Sequence, residues 1–304
     1  MEKKLQASSL SFLLFLLLLP TTFTGIVAIN ELYGIYNGTA KLFVFGDSYV
    51  DTGNSPKPGA GSWKQPYGST FPQKPVGRFS NGRVLTDYIS MFLRIRSPTP
   101  FKWRRYVNKT RLRYGMNFAY GGTGVFNTLV NLPNMTTQID FFQKLIQENA
   151  YTKQDLDSSI ALVSVAGNDY TNFLVKNRSL EKLPAFTASL VNQISLNLKR
   201  IQSLGVKKIA VTGLEPLGCL PQISVASAYQ NCIEPLNLIS NTHNQMLLQA
   251  VQNLTHEISD GTVFMMLDLN GAFMTAINNL RNHTGRIQHL KFAFCCVRAG
   301  MYLC

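Results

Sequence analysis

The chain lacks most of the short motifs that assign a function at sight. It contains no C-x-x-C and no H-E-x-x-H, so a zinc site has little to build on. It has no G-x-S-x-G elbow, no G-x-x-x-x-G-K-[ST] loop and no complete G-x-G-x-x-G, which removes support for an ordinary α/β-hydrolase, a P-loop NTPase and a dehydrogenase. Cysteine is scarce. Five in 304 residues (Cys219, Cys232, Cys295, Cys296 and Cys304) exclude a small disulfide scaffold, and the odd number leaves at least one thiol without an intrachain partner. Past the N-terminal leader no segment approaches the roughly 18 uninterrupted apolar residues of a transmembrane helix. Acidic residues are outnumbered, 16 against 29 basic, for a formal charge of +13 at pH 7.

What is present begins with MEKKLQASSLSFLLFLLLLPTTFTGIVA: two lysines, an apolar run from Leu10 to Leu19, and small residues ending at Ala28. That is the three-part layout of a secretory signal peptide over residues 1–28, and the run is too short to span a bilayer comfortably. Six sequons agree with export, at Asn37, Asn108, Asn134, Asn177, Asn253 and Asn282. The remaining residues, 29–304, are expected to form one exported, extracellular domain, since a 45% hydrophobic content is ample for one core. In an oxidising compartment Cys219 and Cys232, which flank a short loop, are the expected bridge.

The densest basic stretch is KWRRYVNKTRLRY, residues 102–114, with aromatics interleaved. Such a patch fits nucleic acid, an acidic polysaccharide, an anionic membrane surface, or solvent alone. Export argues against nucleic acid.

Short β-branched or aromatic runs alternate with segments of helical periodicity, the pattern of parallel strands with crossover helices. KLFVFG (41–46), MNFAY (116–120), IALVSVAG (160–167), KKIAVTG (207–213) and TVFMMLDL (262–269) read as strands. RVLTDYISMFL, TTQIDFFQKLIQENA, FTASLVNQISLNLKRIQSLG and PLNLISNTHNQMLLQAVQNLTHEI read as amphipathic helices. The expectation is α/β: a three-layer α/β/α sandwich on a five-stranded parallel sheet, flavodoxin-like in layout. Residues 55–79 are rich in Gly, Pro and Ser and read as a long loop of the kind that borders substrate sites.

In an open parallel sheet the ligand sits beyond the carboxyl ends of the strands, so the residues that follow each strand matter most. Ser48 follows the first strand, Gly121 and Gly122 the second, and Gly167, Asn168 and Asp169 the third. A serine there is surrounded by backbone N–H donors, as a nucleophile needs, yet it also serves as an ordinary helix cap. Gly121 lets backbone approach a substrate or simply turns the chain, and Asn168 aims an amide at developing charge or merely turns beside glycine.

FVFGDSYVDTGN with GRFSNGRVLTDYI, then NFAYGGTGVF, SVAGNDY, TGLEPLGCLP and LDLNGAFMTAI with a late Cys-Cys pair, in that order from about residue 41 to 296, resembles the plant GDSL esterase/lipase family of the SGNH hydrolases. The resemblance implies a serine ester hydrolase that acts on lipid, acyl or acetyl esters, monomeric, in the cell wall or apoplast, with no metal or organic cofactor. It implies Ser48 as nucleophile, with its own N–H, the Gly121 N–H and the Asn168 amide as the oxyanion hole, and Asp47 as a structural neighbour. Tyr49 stands where the family name has leucine.

The family's Asp-x-x-His, which supplies the general base and its orienting acid, occurs nowhere in this sequence. His243, His256, His283 and His289 all read as surface histidines, with His289 nearest the point where the family's chain turns back to the site. The expectation is therefore a domain without its C-terminal Asp-x-x-His block, slow in turnover. The rival is a catalytically impaired truncation product that binds cell-wall polysaccharide or lipid.

Overall fold

The computed structural model describes residues 40–284 apart from Arg178 and Tyr229. The run LFVFG forms β1 (Leu42–Gly46), buried along its whole length, as a strand covered on both faces must be. It is followed in the sheet by β2 (Thr99–Pro100), β3 (Gly115–Asn117), β4 (Ile160–Ser164), β5 (Lys208–Thr212) and β6 (Val263–Leu267). The spatial order is β2-β3-β1-β4-β5-β6 and the pairings are parallel. The sheet therefore has six strands where the sequence reads five. The extra one is two residues long, too short for periodicity to reveal, and its proline is tolerated because it lies on the edge.

Alternate residues of each strand point to opposite faces. Phe43, Phe45, Ala161, Val163, Ile209 and Val211 face one core. It is closed by helices α1 (Met135–Gln147), α2 (Leu183–Ser203) and α3 (Glu234–Glu257). Leu42, Val44, Ile160, Leu162 and Ala210 face the other, covered by the helix Leu85–Phe92. Helix α1 shows how the layer is read from sequence: Met135, Gln138, Ile139, Phe142 and Leu145 recur at three- and four-residue spacing and are all buried. Its start is fixed by Asn134, whose side chain accepts from Thr137 N at 3.0 Å.

Two further helices, α4 (Gly167–Asn177) and α5 (Leu269–Thr284), begin at segments that the sequence marks only as strand ends and motif blocks. Residues 55–79 carry no strand and one 3-10 turn, Gly61–Trp63. They are nonetheless anchored: Trp63 Nε1 donates to Ser55 O at 2.9 Å and Gly68 N to Ser80 O at 2.9 Å. No described helix is long and apolar enough to cross a membrane.

From β1 the chain moves outward to β2 and β3 on one side, then returns to build β4, β5 and β6 on the other. The order thus reverses beside β1, and the carboxyl end of β1 is the switch point at which such sheets bind ligands. Ser48 lies two residues past that end.

Candidate active site

The turn after β1 is built by Gly46 and Asp47. Gly46 has φ +147°, and a Cβ there would lie 2.1 Å from Ser164 O, so only glycine lets β1 and β4 run this close at their ends. Gln138, reaching from α1, grips Gly46 with both ends of its amide: Gly46 N donates to Oε1 at 2.8 Å and Nε2 donates to Gly46 O at 3.0 Å. Asp47 N donates to Ser164 O, Asp47 Oδ1 accepts from Tyr49 N at 3.0 Å, and Asp51 N donates to Asp47 O at 2.9 Å. These bonds pass over Ser48. Its side chain is 3% exposed, and its Oγ has no hydrogen-bond partner among the described residues. The hydroxyls of Ser62, Thr99 and Ser224 are also buried without a partner, so it is the position of Ser48 at the carboxyl end of β1 that points to a reactive or ligand-binding role.

The residues after β3 and β4 converge on this turn. Asn168, in the first turn of α4, directs Nδ2 to Thr123 O at 2.9 Å and lies 3.5 Å from Asp47 Oδ2. Gly121 brings its backbone close, because a Cβ there would lie 2.0 Å from the Phe79 ring. Its N–H, however, donates to Asp51 Oδ2 at 3.0 Å and Ser55 Oγ at 3.1 Å, so in this geometry that proton is already engaged rather than offered to an oxyanion. Asp51 also accepts from Gly53 N and Asn54 N at 2.7 Å each. Burial raises its pKa, and these donors offset the rise only in part.

Asn54 and Asn117 lock the loops together. Asn54 Nδ2 donates to Asn117 O and Ala119 O, and Asn117 Nδ2 donates to Val50 O. Asp169 ties α4 to the loop after β3 by accepting from Val125 N and Phe126 N at 2.9 Å each. Burial pushes its pKa up to about 6.

Beside Ser48 lies a cavity whose walls include Asp47, Tyr49, Asn168, Glu215, Leu217 and Ile223. Glu215 is 5% exposed, and burial pushes its pKa up to about 7 against the hydrogen bond that it accepts from Tyr49. Asp47 is raised well above the usual carboxylate range, first by burial and next by the Glu215 charge. Sequence reasoning singles out neither Glu215 nor Gln138. The available signal was a glutamine at a core position of an otherwise apolar helix face, and a glutamate in the apolar stretch that follows β5.

His243 corrects an expectation. It is not a surface residue but is 1% exposed in α3, with Nδ1 3.0 Å from Tyr170 Oη. Burial lowers its pKa to about 4, so it stands neutral as a tie between α3 and α4. His256 is exposed in the last turn of α3. The side chain of His283, and His289 altogether, lie outside the described residues, as do Cys295, Cys296, Cys304, Asn37 and the side chains of Asn177 and Asn282. Cys219 and Cys232 form a disulfide of 2.05 Å. Asn108 and Asn253 are exposed, and Asn134 is half-buried, with Nδ2 donating to Asn127 Oδ1 at 2.8 Å.

A doubly wound parallel sheet with an unpartnered, buried serine at its switch point, and with an asparagine amide and tight glycine loops gathered from the neighbouring strand ends, has the layout of an SGNH-type ester hydrolase. The GDSL-like Lipase/Acylhydrolase family model matches residues 42–287, and the chain belongs to that family of carboxylic-ester hydrolases. Two GDSL esterase/lipases of Arabidopsis thaliana are 52% identical over 263 residues, covering 86% of this chain and 73% of the relative, and 54% identical over 241 residues, covering 79% and 68%. Acetylajmalan esterase 2 of Rauvolfia serpentina is 28% identical over 289 residues, covering 86% of this chain and 77% of that esterase.

Proposed function

We propose that this chain is an exported serine ester hydrolase for lipid, acyl or acetyl esters, in which Ser48 Oγ attacks the ester carbonyl. The carrying observation is that Ser48 Oγ is buried without a hydrogen-bond partner at the carboxyl end of β1. The negative charge of the tetrahedral intermediate falls to the Ser48 N–H and the Asn168 amide; the Gly121 N–H joins them only by exchanging its bond to Asp51. Loss of the alcohol leaves an acyl-serine that water releases.

The sequence contains no Asp-x-x-His, and His243 is engaged with Tyr170. On this reading the general base and its orienting carboxylate come from a family-type Asp-x-x-His segment, which the test below supplies by extension. The rival is a catalytically impaired product that binds cell-wall polysaccharide or lipid.

One assay separates them: hydrolysis of a short-chain nitrophenyl ester by this chain and by a version extended with that segment, each checked for folding by circular dichroism and thermal melting. The extended version should turn over faster by about 10² to 10⁴, and Ser48→Ala should abolish the gain. Full, Ser48-dependent turnover by the unextended chain would show that its base lies within this sequence. A folded extended version without turnover would favour the rival.

A further inference from the structure

The formal charge of +13 is not spread evenly. From residue 52 to residue 139 the sequence holds thirteen Lys and Arg residues and one acid, Asp87, so nearly all of the surplus sits in this segment. Asp87 is buried and already held by Arg78 through two bonds of 2.8 and 2.9 Å. Elsewhere cations meet acids, as in Lys41–Asp155, Arg200–Asp140 and Lys199–Glu257. In this segment they lie over aromatic rings instead: Lys57 over Trp63, Lys102 over Trp103, Arg83 over Phe71 and Arg113 over Tyr114.

Three rings, those of Trp63, Trp103 and Tyr106, form a row of edge contacts, the last two just past β2 in the chain. Trp63 and Trp103 have centroids 6.2 Å apart, and Trp103 and Tyr106 are 5.9 Å apart. The row is held rather than loose, because Trp63 Nε1 donates to Ser55 O and Trp103 Nε1 to Gly53 O, each at 2.9 Å. Both acceptors belong to the chain segment that follows Ser48. Tyr106, at the outer end, is 80% exposed.

We infer that this row, with the cations that flank it, is a binding surface for a carboxylated polysaccharide. Rigid indole and phenol rings give broad amphipathic contact to sugar rings at little entropic loss, and lysine and arginine pair with the carboxylates. A membrane fits less well, since Met91 and Tyr106 are the large exposed hydrophobics among residues 52–113 and surface binding needs a broader apolar face. The inference rests on the export proposed above and not on turnover.

The test is retention of the full chain, secreted from a eukaryotic host, on immobilised polygalacturonate at about 0.1 M salt, beside a neutral glucan, anionic phospholipid vesicles and duplex DNA. Binding to polygalacturonate should exceed binding to the other three and should disappear at about 1 M salt, where screening shortens to about 3 Å. Combining Lys57→Gln, Lys102→Gln and Arg105→Gln, the last an exposed cation adjacent to Tyr106 in the chain, should weaken it about tenfold, the sum of three modest exposed pairs. Tyr106→Ala should weaken it further at unchanged charge. Ser48→Ala should bind as the parent does, which keeps this outcome separate from any failure of the esterase assay. Equal or stronger binding to vesicles or DNA, no preference over the neutral glucan, or retention unchanged in the triple variant would overturn the inference.

Discussion

Glu215 sits almost wholly buried in the cavity wall, where it accepts a hydrogen bond from Tyr49. A carboxyl buried in a mostly apolar wall resists ionisation, and its pKa of about 7 stands against an ordinary 4.5. The sign follows directly: the unfolded chain ionises Glu215 from about pH 4.5 upward while the folded chain holds its proton until about 7. The stability it lends is complete below the lower value and is lost as pH rises through the upper one. The full difference corresponds to about 3 kcal/mol. Glu215→Gln, which keeps an acceptor for Tyr49, should flatten this part of the pH dependence and melt above the parent at pH 8; parallel melting curves from pH 4 to 8 would show that Glu215 is not the titrating group. Asp47, Asp51 and Asp169, all raised, leave a residual slope of the same sign in the variant. Asn168 makes a second test. In the extended version Asn168→Ala should lower kcat by about 10² to 10³, with KM little changed, if the amide meets the oxyanion. A loss in thermal stability alone, with kcat unchanged, would leave it only the structural bond to Thr123.

At the scale of elements, the site is held by one helix on one strand end. Gln138 is the sole polar residue among the buried positions of α1, and it bridges N–H and C=O of Gly46 at the end of β1. Gln138→Leu fits the apolar pattern of the helix better but leaves the Gly46 N–H buried without an acceptor. The expected loss is about 1 to 3 kcal/mol in urea unfolding, despite the added apolar surface. An unchanged or raised midpoint would show that the bridge contributes nothing. The helical period was legible in α1 because five of its residues face one core. The helix α4 was not, because its first turn consists of Gly167, Asn168 and Asp169, residues placed for contacts with other loops rather than for helical propensity.

For the whole molecule, the leader-like layout of residues 1–28, the sequons and the Cys219–Cys232 bridge agree with one another, and export is the proposal that joins them. Secreted protein should begin near Ile29 and shift in mobility on glycosidase treatment, and Asn253, exposed on α3, should be among the modified positions. N-terminal sequencing that returns Met1, with no mobility shift, would contradict it. The basic surplus between residues 52 and 139 belongs to this scale too, since nearly all of the molecule's net charge lies in one stretch of the chain.

The sequence by itself determined the layers, five of the six strands and the place of Ser48, because these depend on local patterns: runs that bury both faces, three- and four-residue spacing, and a polar cluster after an apolar strand. It also carried the family through blocks kept in order. What only the tertiary structure decided are the contacts between those blocks. That Gly121 gives its N–H to Asp51, that Gln138 clasps Gly46, that His243 is buried against Tyr170 and that Glu215 meets Tyr49 are pairings across separations of 70, 92, 73 and well over a hundred residues. No local pattern encodes them, because a hydrogen bond or a shifted pKa depends on which distant group folding brings within a few ångströms, and the sheet order β2-β3-β1-β4-β5-β6 decides that.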